Sequence, residues 1–121
     1  MRDITIREFQ DYIRSKDNRT ELADRYFIKL TEEVGELAEA VLRDRHLGEA
    51  EVAEKRGTIE EEIYDVLYYL TVLANLHHVD LTRAAYLKEQ FNQQRFGLDN
   101  TKNGAYGTGT PVINLFEDAN D

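Results

Sequence analysis

Apolar residues recur along the first hundred positions at the spacing of helix faces. In TIREFQDYI, Ile6, Phe9 and Ile13 share one side, and Thr5 with Glu8 opens the segment in the order of a capping box. A second run predicts a helix from near Thr20 to about His46. Its stripe is Leu22, Tyr26, Leu30, Val34, Leu37 and Val41, and Gly48 is its stop. A third helix opens on Thr58 with Glu61, another capping-box pattern, and runs to about Leu76. Its stripe is Ile59, Ile63, Val66, Leu70 and Leu73, with Tyr68 and Val72 off that line. Asp80 is the predicted N-cap of a last helix, LTRAAYLKEQFNQQRF, which Gly97 ends. The pattern predicts an all-α fold: a four-helix bundle around a central antiparallel pair of acidic helices.

Residues 98–121, LDNTKNGAYGTGTPVINLFEDAND, lose the helical period and turn to Gly, Asn and Thr, with the only proline at Pro111. They are expected to form an irregular tail or lid beyond a domain of residues 1–97, and VINLF is a candidate anchor for that tail. GAYGTGT has a superficial likeness to a phosphate loop but lacks the Lys-Ser/Thr ending and a preceding strand. The 121 residues suit a single domain, and 41% hydrophobic residues suffice for one core. A formal charge of −9 argues against nucleic acid as a partner, because such binding needs a broad cationic surface. The chain has no cysteine, which excludes disulfides and thiolate metal sites. Neither a signal-peptide core nor a run approaching about 20 apolar residues occurs, so a soluble cytoplasmic protein without a membrane partner is expected.

Charge raises a further question in KLTEEVGELAEAV, where Glu32, Glu33, Glu36 and Glu39 crowd onto about three turns. Like charges at this spacing destabilise a helix by roughly 0.2–0.5 kcal/mol per pair. On the helical wheel Glu33 and Glu36 lie on one flank of the apolar stripe, roughly 80° and 140° from its centre. Glu62 and Asp65 occupy the equivalent flank of the third helix. If these helices are antiparallel neighbours, the four carboxylates converge along one edge of their seam, and the small Ala40 leaves room beside them. Such an all-oxygen cluster suits a hard divalent cation, Mg²⁺ or Mn²⁺. Glu32, Glu39, Glu60 and Glu61 read instead as solvated surface.

These residues resemble the MazG-type all-α nucleoside triphosphate pyrophosphohydrolases, whose hallmark is an E-x-x-E pair followed by an E-x-x-D pair. Here the pairs are Glu33 with Glu36 and Glu62 with Asp65, and the likeness spans about Phe27 to Arg95. The resemblance implies Mg²⁺-dependent cleavage of a nucleoside triphosphate, NTP or dNTP, to the monophosphate and pyrophosphate. It implies Glu33, Glu36, Glu62 and Asp65 as catalytic metal ligands, and a homodimer or homotetramer with sites against a neighbouring subunit. It also implies Lys88, Asn92 and Arg95, which share one face of the last helix, as substrate contacts, with Asn75 as a further candidate. The related phosphoribosyl-ATP pyrophosphatases often have His where this chain has Tyr69, which favours a nucleotide-pool role.

Two other classes stay open. A di-iron carboxylate bundle also uses acids on facing helices, but it normally adds E-x-x-H pairs, and neither motif here ends in His. A non-catalytic helical interaction protein would carry the acids only as surface. His77 and His78 sit at a predicted helix end and read as structural, while Tyr64, Tyr68 and Tyr69 read as packing.

Overall fold

The computed structural model describes residues 1–48, 56–96 and 116. Its elements are α1 (Ile6–Lys16), α2 (Ala23–Leu42), α3 (Ile59–Leu76) and α4 (Leu81–Phe96), with a 3-10 turn at Thr20–Leu22 ahead of α2. No strand occurs among the described residues. The chain divides into two compact units, Met1–Asp80 and Leu81–Asp121. Gly97 and the expected tail, apart from Phe116, lie outside the described residues.

Local chemistry starts each helix. The Thr5 hydroxyl accepts from the Glu8 N–H at 3.0 Å, and the Glu8 carboxylate accepts from the Thr5 N–H at 2.9 Å, closing the capping box of α1. Thr58 caps α3 by accepting from the Glu61 N–H, while the Glu61 carboxylate accepts from the Gly57 N–H at 3.0 Å. Helix α2 ends at Leu42, short of the predicted His46. Asp44 adopts a left-handed φ of +50°, and the Asp44 and Arg45 N–H groups turn back to the carbonyls of Val41 and Ala40. The same closure ends α3, where His78 has φ +57° and the His78 and Val79 N–H groups reach Asn75 and Ala74. His77 and His78 therefore serve as helix-end residues.

Helices α2 and α3 run antiparallel, since Tyr26 packs near Tyr69, Glu33 near Glu62 and Asp65, and Arg45 bonds Ile59. Helix α1 lies along α3, pairing Gln10 with Asn75 and Asp17 with the hydroxyl of Tyr68. The core centres on Ile13, Tyr26 and Val72, with Phe9, Leu22, Tyr68, Tyr69, Leu73 and Leu76 packed around it.

That core corrects the predicted stripes. Val72, off the expected line, is fully buried, and Tyr68 packs against the core. Val34, Val41, Ile63 and Leu70, all on the expected stripes, stay about half exposed. The reason is that α3 packs against both α1 and α2, so its buried arc follows two neighbours rather than its own hydrophobic maximum. On α2 the inward positions are Tyr26, Glu33 and Ala40.

Helix α4 presents Lys88 and Arg95 to solvent with Asn92 half-buried. Lys88 Nζ lies 4.9 Å from the Phe91 ring centre, and Tyr86 meets Phe116 edge to face at 5.1 Å.

Candidate functional site

Glu33 from α2 and Glu62 with Asp65 from α3 each place a carboxylate oxygen within 4.8 Å of the others. Glu33 is 5% exposed and Glu62 is 4% exposed, so the inner acid of each pair lines the seam itself. One oxygen of each, Oε2, is buried with no hydrogen-bond partner. Buried polar atoms are satisfied almost everywhere in folded proteins, and a buried carboxylate without a partner is costly. Glu36, one turn beyond Glu33, is exposed.

The electrostatics record the crowding. A hydrogen bond that protonated Glu36 donates to Glu33, then the charge of Glu33, then burial raise the Glu36 pKa above the ordinary carboxylate value. Burial is the first cause that lifts Glu62, to about 7, and the charges of Glu36, Glu33, Asp65 and Glu61 follow. Lys29 Nζ, 3.4 Å from Glu33, offsets part of this charge. The arrangement fits a divalent cation on three grounds: an all-oxygen donor set, donors from two rigid helices, and two buried oxygens that lack partners.

Beside the acids lies a groove of about 450 Å³ lined by Glu36, Ala40 and Glu62 together with Arg43, Arg45 and Arg56. Ala40, 3% exposed, forms part of its wall as its small size suggested. The three arginines and Lys29 are the site residues that sequence reasoning missed. Their signal was RDR directly after the second helix and KRG directly before the third, in a chain otherwise rich in acids.

Asn75 occupies the other end of α3. Asn75 is buried about 20 Å along the axis of α3 from Glu62, at 1.5 Å per residue. Its Oδ1 accepts from Gln10 Nε2 at 2.9 Å and Arg14 Nη2 at 3.1 Å, and its Nδ2 donates to the Gln10 carbonyl at 2.9 Å. Its amide thus holds α1 on α3. Lys88, Asn92 and Arg95 belong to α4, in the second unit. Glu60 and Glu61, read as plain surface, instead secure the approach to α3 by accepting from the Leu47 and Gly57 N–H groups. Tyr64, Tyr68 and Tyr69 pack ring on ring, and the Tyr68 and Tyr26 hydroxyls both reach Asp17.

Residues 23–90, more than half of the chain, match the MazG nucleotide pyrophosphohydrolase domain. The chain belongs to that family. This MazG domain is 40% identical over 81 residues to dCTP pyrophosphatase 1 of Rattus norvegicus, covering 64% of this chain and 48% of the rat protein. The Mus musculus dCTP pyrophosphatase 1 is 38% identical over the same length and coverage. The chain thus spans about half the length of the curated relatives it matches. Crystal structures of iMazG from Vibrio DAT 722 share the fold. The Ctag-iMazG form superposes with a TM-score of 0.69 at 41% identity over 74% of this chain and 99% of that one. The Ntag-iMazG form gives 0.69 at 40% identity, over 76% and 97%. The MazG match takes in both acid pairs, all three groove arginines and Lys88.

Proposed function

We propose that this MazG chain hydrolyses a nucleoside triphosphate to the monophosphate and pyrophosphate, with Mg²⁺ or Mn²⁺ held by Glu33, Glu36, Glu62 and Asp65. The observation that carries this reading is the pair of buried, partnerless carboxylate oxygens on Glu33 and Glu62, two acids of a MazG domain that gather with Asp65 within 4.8 Å. Bound by these carboxylates, such an ion would supply positive charge to neutralise phosphate oxygens, to activate a water for in-line attack at the α-phosphorus and to stabilise departing pyrophosphate. The protein's part is to hold the carboxylates on two packed helices and to keep Glu33 and Glu62 away from bulk water. The raised pKa of Glu62 means that it holds its proton more tightly in the metal-free chain, and positive charge arriving beside it would lower that pKa and release the proton. Lys88, Asn92 and Arg95 are assigned to phosphate, sugar or base contacts from α4. Asn75 is left out of this set because its amide is engaged with α1.

The likeness to dCTP pyrophosphatase 1 makes dCTP the first substrate to test, and clearance of unwanted deoxynucleotides in the cytoplasm the proposed role. A homodimer or homotetramer is part of the same reading. Phe27, Ile28, Val34 and Val41 on α2 and Ile63, Leu67 and Leu70 on α3 are all exposed in the single chain. An apolar surface of that extent suits burial against a second copy. No described helix is long and apolar enough to cross a membrane.

The test is pyrophosphate release from each common NTP and dNTP with Mg²⁺, dCTP first. Activity that disappears in Glu33→Gln and Glu62→Gln supports the proposal. A chain that cleaves no triphosphate with either Mg²⁺ or Mn²⁺ refutes it.

A further inference from the structure

The groove beside the acid cluster carries an unexpected charge distribution for a chain with a net charge of −9. Its lining includes the acids Glu36, Glu39, Glu61 and Glu62. Arg43 and Arg45, just past the C-terminus of α2, and Arg56, just ahead of α3, bring three guanidinium groups to the same groove. Arg43 lies seven residues beyond Glu36, about 10 Å along the helix direction, a distance that a long side chain and a short phosphate chain can close between them.

Arg45 is held in place. Its N–H bonds the Ala40 carbonyl at 3.1 Å, its carbonyl accepts from the Ile59 N–H at 2.8 Å, and its guanidinium lies 3.5 Å from the Arg56 carbonyl. Gly57 has φ +74°, and a Cβ there would sit 3.1 Å from Arg45 Nη1, so the glycine both makes the turn and admits the guanidinium. Arg43 pairs with Glu39 at 2.9 Å, but both side chains are largely exposed, and such a pair yields readily to a stronger anion. Glu62, buried and with a partnerless oxygen, lines the same groove and joins it to the acid cluster.

We propose that Arg43, Arg45 and Arg56 form the subsite for the terminal phosphates, the part of the substrate that leaves as pyrophosphate. The assignment rests on the pyrophosphohydrolase reading above. Four carboxylates and one divalent ion still leave the cluster net negative, so a polyphosphate needs further cations to settle beside it. Guanidinium groups suit this because their planar donor forks match phosphate oxygens. When water attacks the α-phosphorus, the bond between that phosphorus and its bridging oxygen breaks, and the electron pair goes to pyrophosphate. The three arginines lie where that charge gathers.

Calorimetric titration with inorganic pyrophosphate and Mg²⁺ tests the subsite, with nucleoside monophosphate as the second ligand. Arg45→Gln and Arg56→Gln are expected to weaken pyrophosphate binding at least about ten-fold each, from the worth of hydrogen bonds to charged groups. Monophosphate affinity is expected to stay unchanged, and KM for the triphosphate to rise by a similar factor. Arg19→Gln, which removes the same charge away from the groove, should change pyrophosphate affinity less than about two-fold. Arg45→Lys keeps the charge and separates recognition from packing, and it should retain more affinity than Arg45→Gln. Unchanged pyrophosphate affinity in both glutamine variants, an equal loss of monophosphate affinity, or no pyrophosphate binding by the parent would each overturn the proposal. Arginine-dependent pyrophosphate binding in a chain that cleaves no triphosphate would keep the anion site and overturn the hydrolase reading.

Discussion

Replacing Glu62 with glutamine should stabilise the metal-free chain at neutral and alkaline pH. In the folded chain burial and the surrounding acids lift this carboxyl from its ordinary 4.5 to about 7. In the unfolded chain it titrates near the ordinary value. Between those two points the unfolded state has released a proton that the folded state still holds, so stability falls as pH rises through the window. Below the lower value the group is protonated in both states and costs nothing; above the upper one the full cost applies. At about 1.36 kcal/mol per pH unit the ceiling is roughly 3 kcal/mol. Solvent in the open groove screens part of this, and the positive end of α3 favours the charge, which leaves about 1–2 kcal/mol. Glutamine keeps the shape and removes the charge, so Glu62→Gln should melt roughly 3–8 °C above the parent near pH 8. Near pH 4 the two should coincide. Saturating Mg²⁺ should raise the parent's melting temperature by native-state binding but leave Glu62→Gln unmoved. Thermal melts by circular dichroism across this pH range, with and without Mg²⁺, supply the readout. A variant less stable than the parent near pH 8, or one with the same advantage near pH 4, would refute the reasoning.

Asn75→Ala removes three hydrogen bonds between α1 and α3, while Gln10 Nε2 keeps its bond to the Val79 carbonyl, so urea unfolding should show a loss of about 2–3 kcal/mol, with the KM of the folded fraction unchanged. His78→Gly relieves a left-handed non-glycine residue at the end of α3 and should gain about 0.5–1 kcal/mol in the same assay. Light scattering at micromolar concentration should show an oligomer for the parent and a smaller species for Leu67→Glu, which places a charge on the exposed apolar face; a monomeric parent would contradict the assembly.

What could be read directly from the chain was what depends on near neighbours. The caps at Thr5 and Thr58 involve residues three apart, and both formed where the pattern placed them. The acid pairs were visible for the same reason: i, i+3 spacing puts two carboxylates on one flank, and an antiparallel partner with the same spacing supplies the rest. Features set by distant residues were not visible. Val72 is buried because α1 covers it, and nothing in the period of α3 shows which side α1 will take. Glu33 and Glu62 turned out far more buried than Val34 and Val41, because the inward side of α2 is made by Tyr26, Glu33 and Ala40 rather than by the centre of its apolar stripe. The end of α2 was misplaced because Asp44, not a glycine, takes the left-handed position. Asn75 looked like a polar residue at a helix end, and only the placement of Gln10 explains it. The arginine groove joins residues on either side of a connection, so no single stretch of sequence displays it.

Attack by water at the α-phosphorus leaves its mark in the position of the incoming oxygen. A susceptible triphosphate, dCTP first, is hydrolysed with Mg²⁺ in ¹⁸O-enriched water, and the products are separated and weighed by mass spectrometry. Hydrolysis at the α-phosphorus gives monophosphate carrying one ¹⁸O, unlabelled pyrophosphate, and no diphosphate intermediate. Label in the pyrophosphate, or nucleoside diphosphate with inorganic phosphate as the first products, would contradict it.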